Sequence, residues 1–375
     1  MNGEAAAGFD AAFAGPIHFG ACDTLTDLNA HDVRQGLADG IYGAMPPPPR
    51  NIAVKRSPIQ GENAERLEIV ITVDDREFHV DAALWVPADA DGPVPLICGL
   101  DFIGPIGVLT SDVFPRDPYA RVYARPEYGA PDGRLTETLR GTSAYRWPVD
   151  LLCRAGYAVI VSCYGSWVPD DADYWTDHGV HPLVGGDARA ISLWAWSISR
   201  LLDVAELCAE IDPKRMIVAG HSRLGKAALW AAANDPRIKA VFANQSGCAG
   251  SAPAAHPVGE TRAQMFAAFP HWTLPDTTAC DYDQHHLLAL IAPRAVYLGG
   301  AKDDLWSDPL GSFAALEKAA AHWDLDETET WTALDEVWDG CKSCHNGPLG
   351  FHLRPGGHDL LPDDWHKFLG FMKAH

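Results

Sequence analysis

An α/β fold built on a mostly parallel central sheet is predicted by three features of the sequence. Short, wholly apolar strands recur at Val94 to Cys98, Tyr157 to Cys163, Met216 to Ala219, Ala240 to Ala243 and Ala295 to Leu298. Helical stretches separate them, and in one Ile191, Trp194, Ile198, Leu201 and Ala205 return at helical spacing. Strands that are apolar throughout need cover on both faces, so helices are expected on both sides, in three layers. Ahead of these, Leu67, Ile69, Ile71 and Val73 alternate with polar residues and predict a half-buried strand. Phe78 to Val86 is its expected antiparallel partner across an Asp74-Asp75 turn.

Of 375 residues, 47% are hydrophobic and 21% charged, ordinary values for a chain that can bury a large core. Lys and Arg number 29 against 50 Asp and Glu, a net charge of −21, which repels phosphate backbones and argues against nucleic-acid binding. No apolar run approaches the ~18 residues of a membrane span. The opening Met1-Asn-Gly-Glu-Ala has neither a basic nor an apolar segment, so no signal peptide is visible. Residues 1–50, closing on Pro46 to Pro49, read as an N-terminal extension wrapping the body. Residues 51–375 read as one catalytic domain, and the protein is expected to be monomeric. The connection from Gly104 to Arg140 is long enough to suggest a functional loop.

The chemistry is concentrated in Arg215-Met-Ile-Val-Ala-Gly-His-Ser-Arg-Leu-Gly-Lys-Ala-Ala-Leu-Trp230. An apolar strand ends at Gly220 and a helix of good formers begins after Ser222. That places the serine on a strand-to-helix turn, the nucleophile elbow of the α/β-hydrolase fold. The helix N-terminus behind it offers N–H groups to a developing oxyanion. The usual pattern is G-x-S-x-G, whereas here the second glycine, Gly225, stands three after the serine. A serine capping an ordinary helix is the competing reading.

Gly220 with His221 to Lys226 resembles the serine motif of the glucuronoyl esterases, G-x-S-R-x-G-K. Further segments resemble bacterial members of that family in unbroken order over about residues 60–375. They include Arg146-Trp147-Pro148, Ser246-Gly247-Cys248, Gly259-Glu260-Thr261, Phe269-Pro270-His271-Trp272, Asp304-Leu305-Trp306-Ser307-Asp308-Pro309 and Gly356-Gly357-His358-Asp359. The resemblance implies a serine esterase that cleaves esters between (4-O-methyl-)glucuronic acid of xylan and lignin alcohols, without a metal or other cofactor. Its expected partner is a glucuronoxylan or lignin–carbohydrate ester. Such a substrate would place the protein in the periplasm or outside the cell, were a leader removed. An acetyl or other carboxylic ester hydrolase on the same scaffold is the alternative.

In an α/β-hydrolase the catalytic histidine comes last in the chain. His358, on the Gly-rich loop Arg354-Pro-Gly-Gly-His-Asp359, is the expected base, with His352 second. Fungal members of the family carry their acid just after the strand that follows the nucleophile helix, where this chain has Gln245. A neutral amide can orient an imidazole but cannot stabilise an imidazolium. The acid is therefore expected on the next loop, at Asp304 in preference to Asp303, and a Glu rebuilt at position 245 is expected to restore part of the function of a lost Asp304. Arg223 is the expected oxyanion residue, through its backbone N–H and, by resemblance, its side chain. Resemblance also gives Lys226, Glu260 and Trp306 to the sugar.

One motif points elsewhere. Cys341-Lys-Ser-Cys344-His345 spells C-x-x-C-H, the attachment motif of c-type haem, which would make an electron carrier. A local disulfide or a reduced pair is the expected reading, since the pentapeptide lies between the acid and the base. Cys98, Cys153 and Cys163, in or beside apolar runs, are expected to be buried reduced thiols.

Overall fold

A computed structural model of the chain describes residues 17–20, 29–123, 129–256, 258–325, 336–338 and 341–374. The first half carries α1 (Ala30–Leu37), β1 (Asn51–Pro58), β2 (Glu65–Val73), β3 (Arg76–Trp85), β4 (Val94–Asp101), α2 (Val149–Arg154), β5 (Ala158–Cys163), α3 (Ala190–Glu206) and β6 (Ile211–His221). The second half carries α4 (Arg223–Asn234), β7 (Ile238–Asn244), α5 (Arg262–Ala268), α6 (Gln284–Ala289), β8 (Ala295–Ala301), α7 (Pro309–Ala319), β9 (Ser343–Asn346), β10 (Leu349–Arg354) and α8 (Pro362–Met372). Two compact units result: one of residues 44–219 with 237–239, the other of 1–43, 220–236 and 240–375.

In the first unit the strand order is β1-β2-β3-β5-β4-β6. The pairs from β1 to β5 are antiparallel, and β5 with β4 and β4 with β6 are parallel. The β2–β3 hairpin turns at Asp74-Asp75 as expected, with Asp74 at φ 54°. Strand β1 was not legible, because it is a charged edge with no buried face. Cross-strand pairs hold it instead: Lys55 to Glu68 at 2.6 Å and Arg56 to Glu65 at 2.7 Å. Helix α3 is enclosed nearly all round, well beyond the single predicted stripe. Its Trp196 indole donates to the Pro47 carbonyl at 3.0 Å, which docks the polyproline segment. The Gly104–Arg140 connection is not structureless. It opens on a helical turn, Pro105–Val108, beside which Asp101 accepts from the Ile103 and Gly104 N–H groups and the Ser143 hydroxyl.

In the second unit the order is β7-β8-β10-β9, the first two pairs parallel and the last antiparallel. Helix α1 runs on into a π-helical turn, Ala38–Tyr42. The Tyr42 ring stacks on Trp230 of α4 at 4.5 Å, and its hydroxyl donates to the Ala249 carbonyl. Strand β10 also escaped the sequence reading. It is wholly buried, but His352 and Arg354 interrupt its apolar pattern, and both are satisfied by Asp364 of α8. Of the C-x-x-C-H run, Ser343 to His345 lie on edge strand β9, where Cys344 points inward and His345 outward, and Cys341 precedes the strand. Cys341 and Cys344 are both free thiols, and burial pushes Cys344 up to about 12. A strand that turns Cys344 and His345 to opposite faces cannot offer both to one porphyrin.

Candidate active site

Strand β6 delivers Ser222 into a sharp turn. The serine stands at the N-cap of α4 with φ 58° and ψ −128°, and its side chain makes no capping bond. An ordinary serine cap is extended and bonds the helix N–H groups. The geometry of Ser222 is not that of an ordinary cap. A non-glycine residue at positive φ costs about 1–3 kcal/mol, so the surroundings must impose it. They do: the Ser222 N–H donates to the Asn244 carbonyl at 2.9 Å. A Cβ on Gly220 would lie 2.1 Å from the Leu224 carbonyl oxygen, and one on Gly225 2.9 Å from Ser246 Cβ. The displaced second glycine thus serves close packing of helix on strand. The Oγ is left uncommitted to the helix, beside N–H groups that have no intrahelical acceptor.

His358 lies on the loop after β10, its side chain 40% exposed. Its Nδ1 is 2.7 Å from Oδ2 of Asp304, whose own side chain is only 3% exposed. Nδ1–H donation to the carboxylate leaves Nε2 as the basic nitrogen. The ring rests against His221, the neighbour of Ser222, with centroids 4.6 Å apart. Asp303 is exposed, and it contributes its N–H to the Gly356 carbonyl at 3.0 Å. His352 is brought elsewhere. It is fully buried between Tyr297 at 3.1 Å and Asp364 at 2.8 Å, and burial lowers its pKa.

Gln245 sits at φ 48° just past β7, with its N–H on the Gly299 carbonyl. Its carboxamide bonds the main chain beyond the histidine: Nε2 donates to the Asp359 carbonyl and Oε1 accepts the Asp359 N–H, both at 3.1 Å.

Arg223 is buried, with its guanidinium over Trp272 at 4.2 Å and over Phe269 at 5.2 Å. Those two rings are themselves stacked at 3.9 Å, a cation–π platform that fixes the plane of the cation. Lys226 donates to the Cys248 carbonyl and pairs with Glu260 at 3.0 Å, both side chains nearly enclosed. Burial pushes the Cys248 thiol up to about 12, so this segment offers a carbonyl and no nucleophile. The Glu260 N–H donates to the Trp306 carbonyl at 2.9 Å, while the Trp306 ring stays 53% exposed. A Cβ at Gly259, φ 72°, would meet that carbonyl at 2.5 Å, so only glycine lets the two loops close. The seven residues singled out in the sequence are therefore on three loops and one helix start of a single unit.

Three supporting groups were missed. His256 donates to Asp308 at 2.7 Å, and Asp308 also accepts the Gly311 N–H at the start of α7. The Phe269–Trp272 platform and the Arg354–Asp364 pair are the others. The aromatic motif carries no role that sequence alone assigns; His256 and Asp308 are 52 residues apart, and the Arg354–Asp364 pair joins a strand to the helix after it, so neither leaves a periodic signal. Among the described residues no group of three or more His, Cys, Asp or Glu is gathered as a metal site, and no helix is long and apolar enough to cross a membrane.

The family model "Glucuronyl esterase, fungi" matches residues 180–325. Carbohydrate esterase MZ0003, from an unknown prokaryotic organism, is 30% identical over 93% of this chain and 84% of its own. A glucuronoyl esterase from Solibacter usitatus superimposes with a TM-score of 0.81 at 29% identity, over 96% of this chain and 98% of that one. The chain belongs to the glucuronoyl esterase family. A glucuronoyl esterase is a carboxylic ester hydrolase, and its fold is that of the α/β-hydrolases. A 4-O-methyl-glucuronoyl methylesterase from Sodiomyces alcalophilus is also similar, at 33% identity over 37% of this chain and 32% of its own. A promiscuous esterase of carbohydrate esterase family 15, from a marine bacterial metagenome, superimposes with a TM-score of 0.77 at 28% identity, covering 93% and 91% of the two chains.

Proposed function

We propose that this glucuronoyl esterase cleaves the ester between (4-O-methyl-)glucuronic acid and an alcohol through an acyl-enzyme on Ser222, with His358 as base and Asp304 as acid. The observation that carries the reading is the 2.7 Å His358–Asp304 bond, made by a ring resting beside the strained Ser222 turn. His358 Nε2 takes the Ser222 hydroxyl proton as Oγ attacks the uronoyl carbonyl, and Asp304 stabilises the resulting imidazolium. The tetrahedral oxyanion is met by the Arg223 N–H and by its guanidinium, whose plane Trp272 holds. His358 then gives its proton to the departing alcohol. Water adds to the acyl-enzyme by the same route and releases the uronic acid and free Ser222.

Lys226 and Glu260 serve the sugar hydroxyls, and exposed Trp306 serves as a flat apolar wall. The natural substrate in this reading is a glucuronoxylan–lignin ester, and the enzyme acts as a monomer. A second reading, a broader carboxylic esterase, is favoured by the relative described as promiscuous. Parallel kinetics on benzyl glucuronate and on an acetyl ester decide between them. The proposal expects kcat/KM on the glucuronate at least about 100-fold higher. Equal values would replace it with the broader reading.

A further inference from the structure

We propose that Gln245 is a positioning residue for His358, acting as a two-point clamp on the Asp359 peptide; this rests on the triad reading above. The position invites another interpretation, a vestigial acid site whose charge has moved to Asp304. The contacts argue otherwise. A carboxamide carries one donor and one acceptor side by side, the complement of a peptide's C=O and N–H. Gln245 uses both on Asp359, the residue that follows the base. Its own backbone is pinned at positive φ by the Gly299 carbonyl, and its side chain is buried.

Arg354 completes the restraint. Its guanidinium donates to the Asp359 carbonyl at 2.7 Å, to the Gly357 carbonyl at 3.1 Å and to the Pro355 carbonyl at 2.9 Å, while Asp364 holds the cation. The Gly356 carbonyl is taken by the Asp303 N–H. A Gly-Gly loop has no side chains to hold its shape. Here the carbonyls of residues 355, 356, 357 and 359 are all engaged, so the loop is fixed through its backbone. Misplacing a catalytic group by about 1 Å costs on the order of 10²-fold in rate.

A glutamate at position 245 would still accept the Asp359 N–H. Ionised, it would set a carboxylate oxygen against the Asp359 carbonyl; protonated, its O–H would replace the amide donor. The charged group beside it is Arg354, which donates to the same Asp359 carbonyl. Gln245→Glu should therefore lose kcat as pH rises, a descending limb the wild type lacks. Gln245→Met, similar in size but apolar, should lower kcat about 10- to 100-fold at every pH, with KM within about threefold. Contrary to the expectation drawn from sequence, Gln245→Glu should not restore an Asp304→Asn variant, because position 245 addresses the peptide and not the imidazole.

The experiment measures kcat, KM and pH profiles on benzyl glucuronate for these variants, with near-ultraviolet circular dichroism to establish folding. Arg354→Lys, which keeps the charge facing Asp364 but loses the fork, is the second variant should Gln245→Met not fold. It should show the same fall in kcat at nearly constant KM. Stoichiometric labelling of Ser222 by a phosphonate ester separates the two layers of the argument. Failure of wild type to label at Ser222 would remove the triad reading itself. Folded Gln245→Met with wild-type kcat, or a tenfold gain from Gln245→Glu in the Asp304→Asn background, would overturn the clamp while leaving the triad in place.

Discussion

Replacing Asp304 by asparagine removes one charge and almost no volume, so it isolates what the carboxylate does. The Asp304 side chain is 3% exposed and 2.7 Å from His358 Nδ1. Unit charges about 4 Å apart attract by about 4 kcal/mol at an effective dielectric constant near 20. In the proposed mechanism that attraction develops as the imidazole takes the Ser222 proton. About 4 kcal/mol is close to three decades in rate. Exposure of the imidazole lets water screen part of it. The expected loss in kcat for Asp304→Asn is therefore about 10²- to 10³-fold, with KM little changed. Asp303→Asn is the matched control. Its side chain is exposed, and its structural bond is made by the backbone N–H, which the substitution keeps. It should stay within about threefold of wild type. Steady-state kinetics on benzyl glucuronate, with both proteins shown to melt cooperatively, provide the comparison. Asp304→Asn within tenfold of wild type, or a larger loss from Asp303→Asn, would refute the assignment of the charge.

Four further outcomes are expected. Ser222→Ala should fold and lose several orders of magnitude in turnover, as removal of a triad nucleophile does; intact-mass detection of an acyl adduct on the variant would contradict it. Trp306→Ala should raise KM about 2- to 12-fold, the range for an aromatic contact of 0.5–1.5 kcal/mol, without moving the melting temperature of a ring already 53% exposed. The thermal midpoint should fall as pH drops from 7.5 to 5.5, and less so in His352→Gln. Burial lowers the His352 pKa from its ordinary 6.5, so below that value the unfolded chain binds a proton that the folded chain refuses; His181, also lowered, keeps part of the slope. The native protein should show no Soret band, and a thiol reagent should modify half-exposed Cys341 faster than Cys344.

Most of the sheet and the strand-to-helix turn at Ser222 were legible because their signals are local. Apolar runs such as Ala158–Cys163 are buried throughout, and Gly220 reports a contact with Leu224 within one turn of the chain. Strands β1 and β10 were not legible, for opposite reasons. Strand β1 is stabilised by ion pairs with its neighbour and buries no face. Strand β10 is fully buried but carries His352 and Arg354, whose partner Asp364 lies on the following helix. The Gly-rich loop pointed to His358 as a candidate base. No pattern in the sequence pointed to the 114-residue separation that joins Gln245 to Asp359, or to the aromatic pair under Arg223. Such contacts depend on tertiary placement, which periodicity does not encode.

Asp304 and His358 are held together by a different physical means from Ser222. Strands β8 and β10 are parallel neighbours, with Ala301 opposite Arg354 at the end of their register. The main chain carries the pairing two steps beyond the ladder: the Lys302 N–H donates to the Arg354 carbonyl, and the Asp303 N–H to the Gly356 carbonyl. Asp304 and His358 follow within two residues of those bonds. Their separation is thus set first by these backbone bonds, and the Gln245 and Arg354 contacts to the Asp359 peptide complete it. Ser222, by contrast, depends on a strained dihedral that only the glycines at 220 and 225 permit. The charge could therefore reside on the β8 loop, with a neutral residue at the end of β7, without disturbing the nucleophile. With no charge to supply, the residue after β7 can be an amide, and an amide is the side chain whose donor and acceptor match a peptide. The placement of Asp304 and the chemistry of Gln245 are two consequences of one arrangement.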